Sequence, residues 1–209
     1  MRPLIAPLAL ASFLVTLAGA ARADDAQSFI QREHAQLEGV LHKPASPARD
    51  VEVNQGLDTF VDYDELTRRA FGEPCHPTLP SCQDIWATYS DEQKHEVTDL
   101  LRQLVRKSYR KNLLKTLDFE ITYRGTKDQA GDTRVVTEAQ NKLNRHDPPV
   151  LVEYIVKQTP NGLRVVDIVT EKSSLTKNYY DQFRKKMNDP AQGYPNIVAK
   201  LREKVAKKD

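Results

Sequence analysis

Two cysteines, two methionines, one tryptophan and eight glycines are all that this chain of 209 residues holds of those types. Its stock of catalytic motifs is as thin. No GxSxG, P-loop, GxGxxG or HExxH occurs, so hydrolase, nucleotide-binding and zinc-protease chemistry lack their usual carriers. The five histidines, His34, His42, His76, His95 and His146, stand at no metal-ligand spacing. They read as solvated surface residues, and neither a metal site nor a cofactor is expected. No apolar stretch beyond the N-terminal region is long enough to span a bilayer, which takes about 20 residues. Internal repeats and low-complexity tracts are also missing.

What is present begins with an export signal. Met1 and Arg2 make a short basic start, Leu4–Leu17 is almost wholly apolar, and Ala21-Arg-Ala23 has the small residues that a signal peptidase reads. These features predict a leader over residues 1–23, cut after Ala23, and an oxidising compartment for the remainder. Ala20 stands where a lipoprotein precursor carries its acylated cysteine, so a free, lipid-unanchored periplasmic protein is expected. Removing the leader takes away Arg2 and Arg22 but no acid, and the formal charge of +2 falls to zero. The general electrostatic argument for nucleic-acid binding goes with it. Residues 24–209 fit a single domain with a core of its own, expected to act as a monomer.

Cys75 and Cys82 lie in the proline-rich stretch Glu73–Asp84. A disulfide between them is expected, worth about 2–3 kcal/mol if closing the short loop is unstrained. The alternatives are a redox pair, although the spacing is not CxxC, and a metal site with His76.

The remaining pattern predicts an α+β fold. Helices are expected over Asp24–His42, Asp62–Phe71, Asp91 to about Leu117, Asn178–Met187 and Asn196–Lys208. Residues 43–47 read as a stiff connection. The helix from Asp91 has a capping box at Ser90 and Gln93, then a wide apolar stripe. Four strands are expected over Phe119–Tyr123, Arg134–Leu143, Val150–Lys157 and Leu163–Thr170, as an antiparallel meander packed against the helices. Whether their apolar side chains fill one another's space or surround a pocket, pattern alone leaves open. Asp167, inside the apolar run Val165–Val169, is either a structural hydrogen-bonding acid or, with a neighbouring tyrosine, a catalytic one.

The ordered segments also resemble a family. Phe60-Val-Asp-Tyr-Asp-Glu-Leu-Thr-Arg-Arg-Ala-Phe-Gly72 resembles the "FDF…MAR…LG" segment of the MlaC, or toluene-tolerance, family of ABC-transporter auxiliary proteins. Trp86–Gln93 is similar to its "W…(S/T)PEQ", and Leu104–Tyr109 with Leu113 to its "LL…TY…L". Val152-Glu-Tyr154 is similar to "VDY", Val165-Val-Asp-Ile168 to "VYDV", and Ser174-Leu175, Asn178-Tyr179 and Gln182-Phe183 to "SL…NYR.QF". Three places depart from the pattern: the Glu73–Asp84 insertion, Lys172-Ser173 in place of "GV", and Tyr180 in place of arginine.

The resemblance implies a curved sheet packed on helices with an apolar cavity between them. It implies a periplasmic phospholipid carrier, not an enzyme, that serves outer-membrane lipid asymmetry. The implied partners are an outer-membrane lipoprotein–porin complex and an inner-membrane ABC transporter with an MCE-domain subunit. Leu101, Leu104, Val105, Tyr109, Val152, Tyr154 and Phe183 are the expected lining, with Tyr179 at the mouth. A hopanoid or sterol-like ligand is the alternative cargo. The C-terminal cations Lys200, Arg202, Lys204, Lys207 and Lys208 are either a partner-facing cluster or a solvated helix face.

Overall fold

Among the described residues of the computed structural model, helix caps and strand turns set out six α-helices and one five-stranded sheet. The structure describes residues 18–76, 78–79, 81–189 and 192–207, with the side chains of 18–24 and 111–114 excepted. Residues 1–17 of the expected leader fall outside the described residues, and at the expected cleavage site only the backbone is described. No helix among the described residues is long and apolar enough to cross a membrane.

The first helix, α1 (Ala18–Leu41), runs back into the segment expected as leader. It buries Ala26, Phe29, Ile30, Leu37 and Leu41. The next, α2 (Pro47–Phe60), occupies a stretch for which no element is predicted from sequence. Ser46 Oγ accepts from the Arg49 N–H, Pro47 sits in the first turn, and Val53, Leu57 and Phe60 are buried at helical spacing. After one extended residue, Asp62 caps α3 (Tyr63–Ala70) by accepting from the Glu65 N–H. The long helix α4 (Asp91–Thr116) starts at the expected capping box, with Ser90 and Gln93 bonding reciprocally.

Strands β1 (Phe119–Gln129), β2 (Asp132–Asn141), β3 (Val150–Thr159) and β4 (Gly162–Thr170) form the antiparallel meander; β5 (Ser173–Ser174) adds a short edge. The first strand, expected to end at Tyr123, instead passes through a register shift between Tyr123 and Gly125 and continues to Gln129. Two helices close the chain, α5 (Leu175–Met187), capped by Ser174, and α6 (Tyr194–Ala206).

Two cores result. Phe71, Leu101, Leu104, Tyr180, Phe183, Ile197 and Leu201 knit α3, α4, α5 and α6 into a helical core. Phe29, Ile30, Phe60, Val105, Val135, Val156 and Val165 join α1, α2 and α4 to the sheet. Each such side chain, fully buried, contributes about 1.5–3 kcal/mol.

Cys75 and Cys82 are disulfide-bonded, with Cα atoms 5.8 Å apart. The inserted loop is also held from α5. Tyr180 Oη accepts from the Gln83 N–H at 2.7 Å, and Arg184 donates to the Ser81 carbonyl at 3.0 Å. Gly72 makes that approach possible: its φ is +91°, and a Cβ there would lie 2.4 Å from the Gln83 carbonyl oxygen.

Candidate functional site: an apolar cavity beside the first strand

Helical spacing puts Gln31, His34, Ala35 and Glu38 on one face of α1, with Leu37 and Leu41 beside them. Strand alternation turns Phe119, Ile121 and Tyr123 of β1 the same way. These two rows, with Phe60 at the end of α2, Tyr109, Thr116 and Leu117 at the end of α4, and Tyr154 of β3, enclose a cavity of about 530 Å³. That is within the usual size range of small-molecule sites. Its wall is mostly aliphatic and aromatic, and exposed Gln31, Glu38, Glu120 and Lys142 stand at its solvent side. Lys142 Nζ donates to the Leu117 carbonyl at 3.1 Å, tying the β2–β3 connection to the end of α4.

One polar group on this wall is not a surface residue. The His34 ring packs against Phe60, Tyr123 and Tyr154, at centroid distances of 6.0, 6.0 and 5.1 Å. Its Nδ1 is 2.8 Å from the Tyr123 hydroxyl. Burial lowers its pKa from 6.5 to about 4, so the imidazole is neutral near neutral pH. The sequence reading of His34 as solvated is thus corrected. The signal for the right answer was its position one turn from Leu37 and two from Leu41, on the apolar side of α1.

The eight residues expected to line one cavity are divided by the structure. Tyr109 and Tyr154 stand on the cavity wall. Val105 lies in the core beneath it, 3 % exposed. Val152, half-buried, faces Thr137 and Thr170 across the ladders. Leu101, Leu104, Tyr179 and Phe183 belong to the helical core instead, where Phe183 stacks on Phe71 at 4.5 Å and Tyr179 on Phe183 at 5.7 Å. The reason is length. At 26 residues α4 is about 39 Å long, so one continuous stripe serves two different neighbours. Of the expected residues, those of α4 and β3 include two on this wall, Tyr109 and Tyr154, while the wall residues of α1 and β1 and Phe60 were not among them.

Asp167 is 3 % exposed and fully engaged. It accepts from Ser174 Oγ at 2.6 Å, the Thr176 N–H at 3.0 Å and the Ile168 N–H at 2.8 Å, fastening the start of α5 to β4. This is the structural role of the two weighed for it. A polar recess of about 370 Å³ lies between Asp167, Arg69, His76, Asp132 and Lys157. Its cations are paired, Arg69 to Glu65 and Asp132, and Lys157 to Glu65. No group of three or more His, Cys, Asp or Glu among the described residues could hold a metal ion. In α6, Lys200 pairs with Glu203, Arg202 with Glu96, and Lys204 bonds Gln182. Lys208 lies outside the described residues.

The chain is similar in fold to a phospholipid-binding protein from Ralstonia solanacearum, solved in complex with a phospholipid. The match has a TM-score of 0.70 at 22% identity and covers 87% of this chain and 97% of that one. No curated protein sequence matches the chain. The MlaC protein family matches residues 31–203, from the cavity face of α1 into α6. With that match spanning most of its length, the chain belongs to the MlaC family.

Proposed function

We propose that this protein is a periplasmic phospholipid carrier, moving lipid between an outer-membrane lipoprotein–porin complex and an inner-membrane ABC transporter with an MCE-domain subunit. The observation that carries the reading is the cavity. Its wall is built from apolar and aromatic side chains of α1, α4, β1 and β3, while its charged groups stand on the solvent side. Acyl chains suit the wall, and a polar head group suits the mouth. A carrier takes its cargo from a bilayer, so the site needs only to match the apolarity of lipid tails, and near-neutral exchange needs no acid–base pair. Family membership and the lipid complex of the Ralstonia protein support the same reading.

Native mass spectrometry and solvent extraction of the purified protein test it. Phospholipid is expected in the extract, and the stripped protein is expected to take labelled phospholipid from vesicles. A homogeneous lipid-free protein that takes up none would sink the proposal.

A further inference from the structure

The cavity is not uniformly apolar. His34, Tyr109, Tyr123 and Tyr154 all open on to it. The Tyr123 hydroxyl is occupied by His34 at 2.8 Å. The Tyr109 and Tyr154 hydroxyls have no hydrogen-bond partner among the described residues. They are not sealed into packing either, since the unpartnered buried side-chain atoms are those of Arg49, Asn54 and Tyr63. The two phenols therefore face the cavity, one from α4 and one from β3. Both line the same cavity wall, together with Phe60 and Tyr123. Burial raises both pKa values well above the usual range for tyrosine, so both remain donors.

A ligand that fills the cavity takes water from these hydroxyls. A hydrogen-bonding group stripped of water and given no partner destabilises the complex. A saturated chain offers no acceptor. The first oxygen met at the end of an acyl chain does, since an ester carbonyl is neutral, accepts only, and adjoins the apolar tail.

We propose that Tyr109 and Tyr154 form a carbonyl-recognition subsite within the cavity, and that the cargo is an acyl-ester lipid whose ester carbonyl accepts from these phenols. The proposal rests on the carrier reading above and adds to it a specificity and a depth. The subsite sets how far the lipid enters, leaving its head group beside Glu38, Glu120 and Lys142.

The test uses two phospholipids with the same head group and chain length, one diester and one dialkyl ether. The stripped full-length protein is offered vesicles containing equal amounts of both, and the loaded lipid is read by native mass spectrometry. The diester is expected to load about five- to tenfold over the diether, the discrimination of one net hydrogen bond. In the Tyr109→Phe/Tyr154→Phe double variant the ratio is expected to fall to about one, chiefly through weaker loading of the diester. Equal loading by the unaltered protein overturns the subsite alone, as does a double variant that keeps the preference. A protein that loads neither lipid overturns the carrier reading and the subsite with it.

Discussion

His34 and Glu65 are opposite answers to the cost of burying an ionisable side chain. His34 is placed among aromatic rings and stays neutral, with its pKa lowered to about 4 by burial. Glu65 is 4 % exposed and keeps its charge. Burial raises its carboxyl, but hydrogen bonds from Lys157, Arg68 and Arg69 outweigh that and hold it at about 2, against an ordinary 4.5. The two titrate in separate windows. As pH falls from 6.5 to 4, an unfolded His34 takes up a proton that the folded one refuses, so stability declines by at most about 3 kcal/mol. The Glu65 contribution is complete above pH 4.5 and is lost as pH falls through 2. Urea titrations at stepped pH should show the upper slope vanish in His34→Phe while the lower one persists; an unaltered upper slope would refute the assignment. Glu65→Gln should cost about 3 kcal/mol, near the lower end for breaking a buried ion pair, because Arg69 keeps Asp132 at 2.7 Å. A loss under about 1 kcal/mol in the same titrations would show that the cations find water instead.

At the scale of elements, α4 carries two jobs on one stripe. Leu101, near its middle, is wholly buried in the helical core, whereas Ile121 of the neighbouring β1 stands half-buried on the cavity wall. Leu101→Ala should therefore destabilise the fold by about 2–5 kcal/mol in denaturant while leaving lipid uptake per folded molecule unaltered. Ile121→Trp, which fills the cavity, should cut uptake severalfold with a smaller loss of stability. If both variants impaired uptake alike, the division into two cores would not hold. The elements also show what the sequence could and could not reveal. The capping box of α4 and the strand–turn–strand rhythm were legible because they are local signals. α2 was not: Gly56, Thr59 and two β-branched valines weaken its helical character, and only Ser46, Pro47 and the Val53–Leu57–Phe60 spacing mark it. Lining residues on α1 and β1 were hidden for another reason. Periodicity says which face is apolar, but the space that the face leaves unfilled depends on how α1 lies over the sheet. Two departures from the family pattern, the inserted disulfide loop and Tyr180, turn out to be one feature, since the Tyr180 hydroxyl holds the loop at Gln83.

For the whole molecule, the helical core and the cavity lie in different halves joined by α4. A carrier built this way can change state in one half and keep the other as a frame. Hydrogen exchange on stripped and lipid-loaded protein should show slower exchange in α1 and β1 on loading, with α5 and α6 of the helical core nearly unaltered; protection spread evenly over the chain would contradict this. The position of the cavity has a consequence for timing. β1 is one edge of the sheet, opposite β5, and among the described residues no backbone hydrogen bond joins it to α1. The contacts between them are made by side chains, the His34–Tyr123 hydrogen bond included, so parting the two would unzip no ladder. Motions of that kind belong to microseconds and milliseconds, not to the slower timescale of unfolding. For the proposed carrier, exchange of lipid through this wall would then be faster than unfolding by orders of magnitude, so that loading would not require the fold to be given up.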